Sequence, residues 1–180
     1  SIILICSITL VSQGCNAPSQ PAADVDVRTL PWDSVLAKAR GTNVRLMMWQ
    51  GDPNINAYMN DYVKPELEKT FGVNLIIASG QGSQVVSTLM AEQQAGATKS
   101  DLDLMWINGE TYFQLREIEA LFGPFTESLP NSKYIDYENP FIARDFQQPT
   151  GGYECPWGNV QLCLIYNSNV ISDPPLTAEA

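Results

Sequence analysis

Three short stretches of the chain combine glycine with small polar side chains, and each follows an apolar run with the composition of a buried strand. They are WQGDPNIN at residues 49–56, SGQGSQ at 79–84 and INGETY at 107–112. Each stretch also leads into a predicted helix, where free backbone N–H groups can bind a ligand directly. We therefore expect a small-molecule binding site where the three stretches meet.

The candidate ligand-binding residues in these stretches are aromatic, acidic or small and polar. Trp49 offers an aromatic face, which attracts organic cations, whereas we expect Trp106, at the end of an apolar run, to be a core residue. Asp52 and Glu110 could each hold a cation, or could instead stabilise the positive end of their own helix. The remaining candidates are Gly51, Gly80, Gln81, Gly82, Ser83, Asn108 and Gly109.

Two phosphate-binding motifs do not fit the sequence. In GQGSQV, Gly80 and Gly82 match the start of the dinucleotide-binding fingerprint, but Val85 occupies the third glycine position. The acidic residues about 20 positions later, Asp101 and Asp103, begin a strand rather than end one. No G-x-x-x-x-G-K-[ST] motif occurs in the chain.

The charge and the metal-ligand content exclude further classes of protein. The 180 residues carry a net charge of −10 and no cluster of Lys or Arg, so we expect no binding to nucleic acid. The absence of histidine removes His-based triads and His metal ligands, and we predict no metal and no cofactor. In an exported protein Cys155 and Cys163 could form a disulfide, or they could remain two free thiols.

Alternating strands and helices must position the three stretches. PWDSVLAKARG has the pattern of a short helix ending at Gly41, and the buried strand NVRLMMW follows it. A helix then begins at Asp52-Pro53 and ends at Gly72, with a kink or break expected at Pro65. The strand VNLIIAS, a helix, the strand DLDLMWI and the helix NGETYFQLREIEAL follow. This alternation predicts βαβ units and a parallel sheet, whose strand ends bring the three stretches to one edge.

The composition changes after residue 121. The segment 122–158 is rich in Pro, Gly and aromatic residues and has no clear period, and NVQLCLIYN at 159–167 then alternates as a strand does. The last residues, SDPPLTAEA, have the pattern of a helix that has just begun, with Thr177 as its N-cap. We therefore expect that the chain is truncated at its C-terminus.

The chain opens with an apolar run, SIILICSITLV, followed by SQGCN. About ten apolar residues are too few for a membrane-spanning helix, which needs about 20, but suit the core of a signal peptide. Ser12-Gln13-Gly14-Cys15 resembles the lipobox of bacterial lipoproteins, with Ser12 where Leu is usual. We predict a signal peptide at 1–15, lipidation of Cys15 and a polar tether at 16–30. A cleaved soluble protein and a core segment are the alternatives.

The chain has Pro156-Trp157-Gly158 before the predicted strand that ends in Tyr166-Asn167, and Pro174, Pro175 and Thr177 then open the last predicted helix. The order of all these features resembles the N-terminal half of an extracellular solute-binding protein of an ABC importer. The resemblance covers residues 31–180 and is strongest to the thiamine-, polyamine- or iron-type binding subgroup. It implies a type II periplasmic-binding-protein-like α/β fold. A first, incomplete lobe with a mainly parallel sheet would occupy 31–147, and a hinge, a crossover strand and the start of a second lobe would occupy 148–180. The residues that carry the resemblance most clearly are Pro156, Trp157, Gly158, Tyr166, Asn167, Pro174, Pro175 and Thr177.

The resemblance implies a binding protein, not an enzyme. It would capture a small solute, with an organic cation favoured, between two lobes and deliver it to an ABC permease in the inner membrane. Trp157, Gly158 and Tyr166 join the ligand-binding candidates. The protein would be an exported monomer in the periplasm or cell envelope, held by a lipid anchor. The alternatives are a thiaminase-I-like enzyme with Cys155 as its nucleophile, and a structural lipoprotein without a role in transport.

Overall fold

The structure is a computed structural model that describes residues 25–158, 163, 165–174 and 177. The predicted signal peptide, Cys15, most of the tether and residues 159–162 and 164 of the predicted crossover strand lie outside the described residues. At the described positions of that strand, 163 and 165–167, the backbone is neither strand nor helix.

A three-stranded parallel sheet forms the centre of the fold, which confirms the predicted α/β class. Its strands are β1 (Asn43–Met48), β2 (Asn74–Ser79) and β3 (Leu104–Met105), in the order β2-β1-β3. Met48 pairs with Ser79 and Met47 with Met105, so the carboxyl ends of all three strands lie at one edge. The strand predicted over 101–107 is shorter as observed, because only its central residues pair in regular register with β1.

Helices occupy the four positions between residues 31 and 121 where the sequence predicts one, whereas the helix predicted to begin near Thr177 lies mostly outside the described residues. The predicted helices are α1 (Trp32–Ala39), α2 (Pro53–Ala57) and α3 (Lys64–Phe71) within the single helix expected at 52–72, α4 (Gly82–Gln94) and α5 (Gly109–Glu117). A short α6 (Pro140–Ala143) was not predicted. Between α2 and α3 the chain forms a π-helical stretch, Tyr58–Val63. Each crossover between parallel strands is therefore helical, as a βαβ unit requires.

The break expected at Pro65 takes the form of this π-helical stretch. Pro65 lies in the first turn of α3, where a missing N–H is tolerated. The Lys64 N–H reaches back five residues to the Met59 carbonyl, so the helix widens by one residue without ending. The chain leaves α3 through Gly72, whose φ of +67° is left-handed, as the glycine stop predicted.

Two apolar clusters cover the two faces of the sheet, because successive β1 side chains point in opposite directions. Leu46 and Met48 pack with Met59 and Leu75 on one face. Met47 belongs to the other face, where the buried residues are Val85, Leu89 and Leu115. The helices that carry these residues fix the positions of the loops at the sheet edge.

An antiparallel hairpin follows α6, in the segment 122–158 that has no clear period in its sequence. Its strands are β4 (Arg144–Asp145) and β5 (Gln148–Pro149). The buried Tyr112 hydroxyl donates to the Thr150 carbonyl at 2.6 Å, and the Phe125 N–H donates to the Gly152 carbonyl at 2.7 Å. The first residues of the predicted hinge region are thus hydrogen-bonded to α5 and to Phe125.

Candidate functional site

A cavity of about 330 Å³ lies at the carboxyl edge of the sheet. It collects residues from all three strand-end stretches, and five of the predicted site residues line it. These five are Trp49, Gly80, Gln81, Gly82 and Asn108. The strand register explains this, because β1, β2 and β3 end side by side and their loops converge.

Three further residues line the cavity: Trp106, Ile107 and Thr111. They were not identified as binding residues from the sequence. Trp106 was predicted to be core. It does pack against the Leu46 cluster, but it is only partly buried and its remaining surface faces the cavity. The sequence contained a signal for this role, since Trp106 directly follows β3 just as Trp49 directly follows β1.

Gly82 allows α4 and α5 to approach each other at the cavity. A Cβ at this position would overlap the Thr111 hydroxyl and lie 3.0 Å from the Thr111 Cβ. The glycine between the strand and α4 is therefore required by packing at the floor of the site. Gly51 has a similar role, because a Cβ there would overlap the indole ring of Trp49.

A continuous row of aromatic rings borders the cavity. The Trp106 and Trp157 rings are 4.7 Å apart and tilted by 40°, and Trp157 meets Tyr58 edge-on at 6.2 Å. Tyr58 in turn stacks on Tyr62 at 5.5 Å. We call these four residues the aromatic row. Trp157, Tyr58 and Tyr62 all remain exposed, so the row presents apolar ring surface to solvent beside the cavity.

The two acidic candidates do not line the cavity. One Asp52 oxygen accepts hydrogen bonds from the N–H groups of Asn54 at 2.7 Å and Ile55 at 3.2 Å, so its carboxylate is the N-cap of α2. Glu110 is exposed on α5 and accepts a hydrogen bond from the Gln114 amide at 3.0 Å. Both carboxylates thus interact with their own helices, which was the alternative to ligand binding in the sequence analysis.

Gly109 is buried beside the hairpin rather than in the lining, and its φ is +45°. Its N–H, the first of α5, donates to a carboxylate oxygen of Asp145 in β4. The hairpin therefore already supplies an anion to the start of α5, a contact between residues far apart in sequence. Ser83, in the first turn of α4, is exposed and does not line the cavity either.

Asp145 forms an acid pair with Glu154. Burial of the Glu154 carboxyl, together with the neighbouring charge of Asp145 and a hydrogen bond to it, raises the pKa of Glu154 to about 7. The Glu154 carboxyl therefore keeps its proton up to about neutral pH. It links the segment after the hairpin, through Asp145, to the N-terminal end of α5.

The possible disulfide between Cys155 and Cys163 is not formed, and both residues are free and exposed. The Cys155 thiol lies beside the Tyr137 hydroxyl instead. Its pKa is raised, mainly because the sulfur is partly shielded from water even though the residue as a whole is exposed. Of the two alternatives, the structure therefore has two free thiols.

The last predicted site residues lie on the chain beyond the hairpin. Trp157 belongs to the aromatic row, whereas Gly158 is exposed with open space around it. Tyr166 is exposed over half of its surface. The structure thus brings one of these three residues next to the cavity.

The described part of the chain has neither a metal-binding cluster nor a membrane-spanning helix. It contains no group of three or more Cys, Asp or Glu side chains arranged to hold a metal ion. Among the same residues, no helix has both the length and the apolar character needed to span a membrane.

Comparison with known proteins gives one curated match of note. The chain is 36% identical over 151 residues to Protein YnjB of Escherichia coli (strain K12). The match covers 83% of this chain and 38% of that protein, so the chain spans well under half the length of this relative. No family model matches the chain, and no solved structure matches it.

Proposed function

We propose that the chain is part of the substrate-binding component of an ABC import system, which captures a small solute and delivers it to a membrane permease. The observation that carries the proposal is the cavity at the carboxyl edge of the parallel sheet. Open α/β sheets bind ligands at this edge, and a volume of about 330 Å³ lies within the range of small-molecule sites. The resemblance to extracellular solute-binding proteins supports the same function.

Capture of a solute between two lobes requires a second lobe that closes the open side of the cavity. Trp49 is 49% exposed and Trp157 is 57% exposed, so the aromatic side of the site is open to solvent. The relative YnjB is much longer than the chain, and a further lobe would cover this side. The hinge between lobes would follow Tyr153, whose ring is held under the Arg116 guanidinium at 3.5 Å.

The preference for an organic cation rests on aromatic faces and on the overall charge. Asp52 and Glu110 are engaged with their own helices, so neither supplies a free carboxylate to the cavity. Trp49 and Trp106 attract a cation through their rings, and the net charge of −10 raises the cation concentration near the protein. The Asp145 carboxylate already occupies the first N–H of α5, which disfavours a second anion there.

The enzymatic alternative has less support. A nucleophilic cysteine needs a lowered pKa and a neighbouring base, but the pKa of the Cys155 thiol is raised and the chain contains no histidine. We therefore propose a monomeric binding protein without catalytic activity or cofactor. Export to the periplasm or cell envelope, a lipid anchor at Cys15 and docking on an inner-membrane permease belong to the same proposal.

Thermal shift of the purified chain against a panel of solutes tests the function. The panel should contain amines, aromatic cations, amino acids, sugars and metal ions. A true ligand at a hundred times its Kd adds about 2.7 kcal/mol to the free energy of unfolding. Asn108→Ala should reduce the shift, whereas Trp32→Phe, a change on α1 outside the cavity, should not. A panel without any stabilising solute would contradict the proposal.

A further inference from the structure

Three of the four tryptophans in the chain lie together at the candidate site. Trp49 and Trp106 line the cavity, and Trp157 is in contact with Trp106. Trp32 is the fourth and lies on α1. Such a concentration of large rings, with half of the Trp49 and Trp157 surfaces exposed, leaves apolar area that a folded chain normally buries.

The rest of the described cavity lining carries no charge. Its polar side chains are Gln81, Asn108 and Thr111, which can each donate and accept hydrogen bonds. Three such groups orient a ligand but are few for a polyhydroxylated solute, whose every buried hydroxyl needs a partner. The lining thus favours a ligand that contributes a flat apolar surface and a small number of polar atoms.

The Trp157 ring contacts two other aromatic rings. The Trp106 ring lies 4.7 Å from it at a tilt of 40°, and the Tyr58 ring meets it edge-on at 6.2 Å. We call the space that Trp157 occupies against these two rings the slot. Both rings belong to the packed body, because Trp106 contacts the Leu46 cluster and Tyr58 lies in the π-helical stretch whose Met59 is buried in that cluster. π-helical turns inside helices frequently occur at functional sites.

Unlike Trp106 and Tyr58, Trp157 lies neither in nor directly after a helix or strand of the packed body. Trp157 lies four residues beyond Tyr153, in a part of the chain without helix or strand. Its side chain is 57% exposed, and Gly158 beside it has open space around it. The ring can therefore leave the slot by a change in a few backbone angles, without disturbing either core cluster.

We propose that the slot against Trp106 and Tyr58 binds a planar aromatic ring of the solute, and that Trp157 fills it when no solute is bound. The inference rests on the proposed solute-binding function and names the chemical class that the site selects. The Trp106 face already accepts an aromatic ring, and offset or edge-on ring pairs at such distances attract each other. A ligand ring must displace Trp157, so its apparent affinity is reduced by the fraction of filled slots.

A matched pair of probes distinguishes the contribution of a flat aromatic ring to binding from the contribution of positive charge. Benzamidinium and cyclohexanecarboxamidinium carry the same cationic group on a flat and on a saturated ring, and calorimetry with the full chain measures both. We expect benzamidinium to bind about tenfold more tightly. Trp157→Ala should raise its affinity several-fold, because the slot is then empty, and Trp106→Leu should lower it about tenfold. Trp32→Leu is the control and should change neither affinity.

Tyr58→Leu gives a second test, since Trp106 also packs on the core and its replacement can unfold the chain. Tyr58 is exposed, and its loss should lower benzamidinium affinity while the circular dichroism spectrum stays unchanged. Equal affinity for the two probes, no binding of either, or weaker binding by Trp157→Ala would overturn the ring slot. A sugar or amino acid whose binding needs Asn108 but not Trp106 would also overturn it, yet would support the solute-binding function.

Discussion

Replacement of Glu154 by Gln should make the protein more stable at alkaline pH and remove part of its pH dependence. The carboxyl of Glu154 is partly buried beside Asp145, and its pKa of about 7 lies above the ordinary value of 4.5. Asp145 in turn accepts the first N–H of α5. Ionisation of Glu154 thus places a second negative charge beside Asp145, next to the N-terminal end of α5. This helix contributes Thr111 to the cavity lining.

The direction of the effect follows from proton binding in the two states. Below pH 4.5 the carboxyl of Glu154 is protonated in both the folded and the unfolded chain, and its contribution is fully present. Between pH 4.5 and about 7 only the folded chain keeps the proton, so the free energy of unfolding falls as the pH rises. Above pH 7 both states are ionised at this position, and the contribution has been lost.

The magnitude can be bounded from the same pKa values. At 1.36 kcal/mol per pH unit, the difference between 4.5 and about 7 gives an upper limit of about 3.4 kcal/mol. The side chain is only partly buried, and solvent screening reduces such energies. We therefore expect a loss of about 1–2 kcal/mol between pH 5 and pH 8 in the wild type.

Glu154→Gln isolates this contribution, because the amide keeps a hydrogen-bond donor for Asp145 and cannot ionise. Urea denaturation at pH 5, 6, 7 and 8 measures the free energy of unfolding of both proteins. The variant should match the wild type at pH 5 and exceed it by about 1–2 kcal/mol at pH 8. Glu127→Gln, an exposed carboxyl in a neighbouring turn, is the control. Parallel pH curves for wild type and Glu154→Gln would refute the acid pair.

Substitutions at Gly82, Tyr112 and Cys15 test the packing and the predicted lipidation. Gly82→Ala should cost about 1–3 kcal/mol in thermal denaturation because its Cβ overlaps the Thr111 side chain, and Thr111→Ala in the same chain should recover most of the loss. Tyr112→Phe should lower the free energy of unfolding by about 1–2 kcal/mol, since the Thr150 carbonyl loses a buried hydrogen bond; a smaller loss than for an exposed Tyr→Phe change would contradict this. Cys15→Ser should move the expressed protein from the membrane fraction to the soluble fraction, and an unmodified Cys15 thiol in the wild type would rule out lipidation.

The sequence was sufficient for the order and type of the main elements. Apolar runs of strand length, separated by helical patterns with glycine stops, predicted the three parallel strands and the helices between them, and the structure has them in that order. Because parallel strands share one edge for their carboxyl ends, the sequence also predicted that the loops after β1, β2 and β3 converge. These features depend on short-range periodicity and on the geometry of a βαβ unit, both of which can be read locally.

The roles of individual side chains at that edge were decided by the tertiary structure. Asp52 and Glu110 had the right position for a ligand, but the nearest hydrogen-bond partners are on their own helices. The sequence could not distinguish these outcomes, because a cap and a ligand site use the same residue types at the start of a helix.

Contacts between distant residues were likewise beyond the sequence. The bond from Gly109 to Asp145 spans 36 residues, and Trp157 reaches Trp106 from beyond the hairpin. The segment 122–158 has no period from which such pairings could be inferred, because its turns are held by contacts with α5 rather than by a repeating apolar face. Local patterns fix backbone elements within a few residues, whereas the neighbours of a loop side chain depend on how those elements pack.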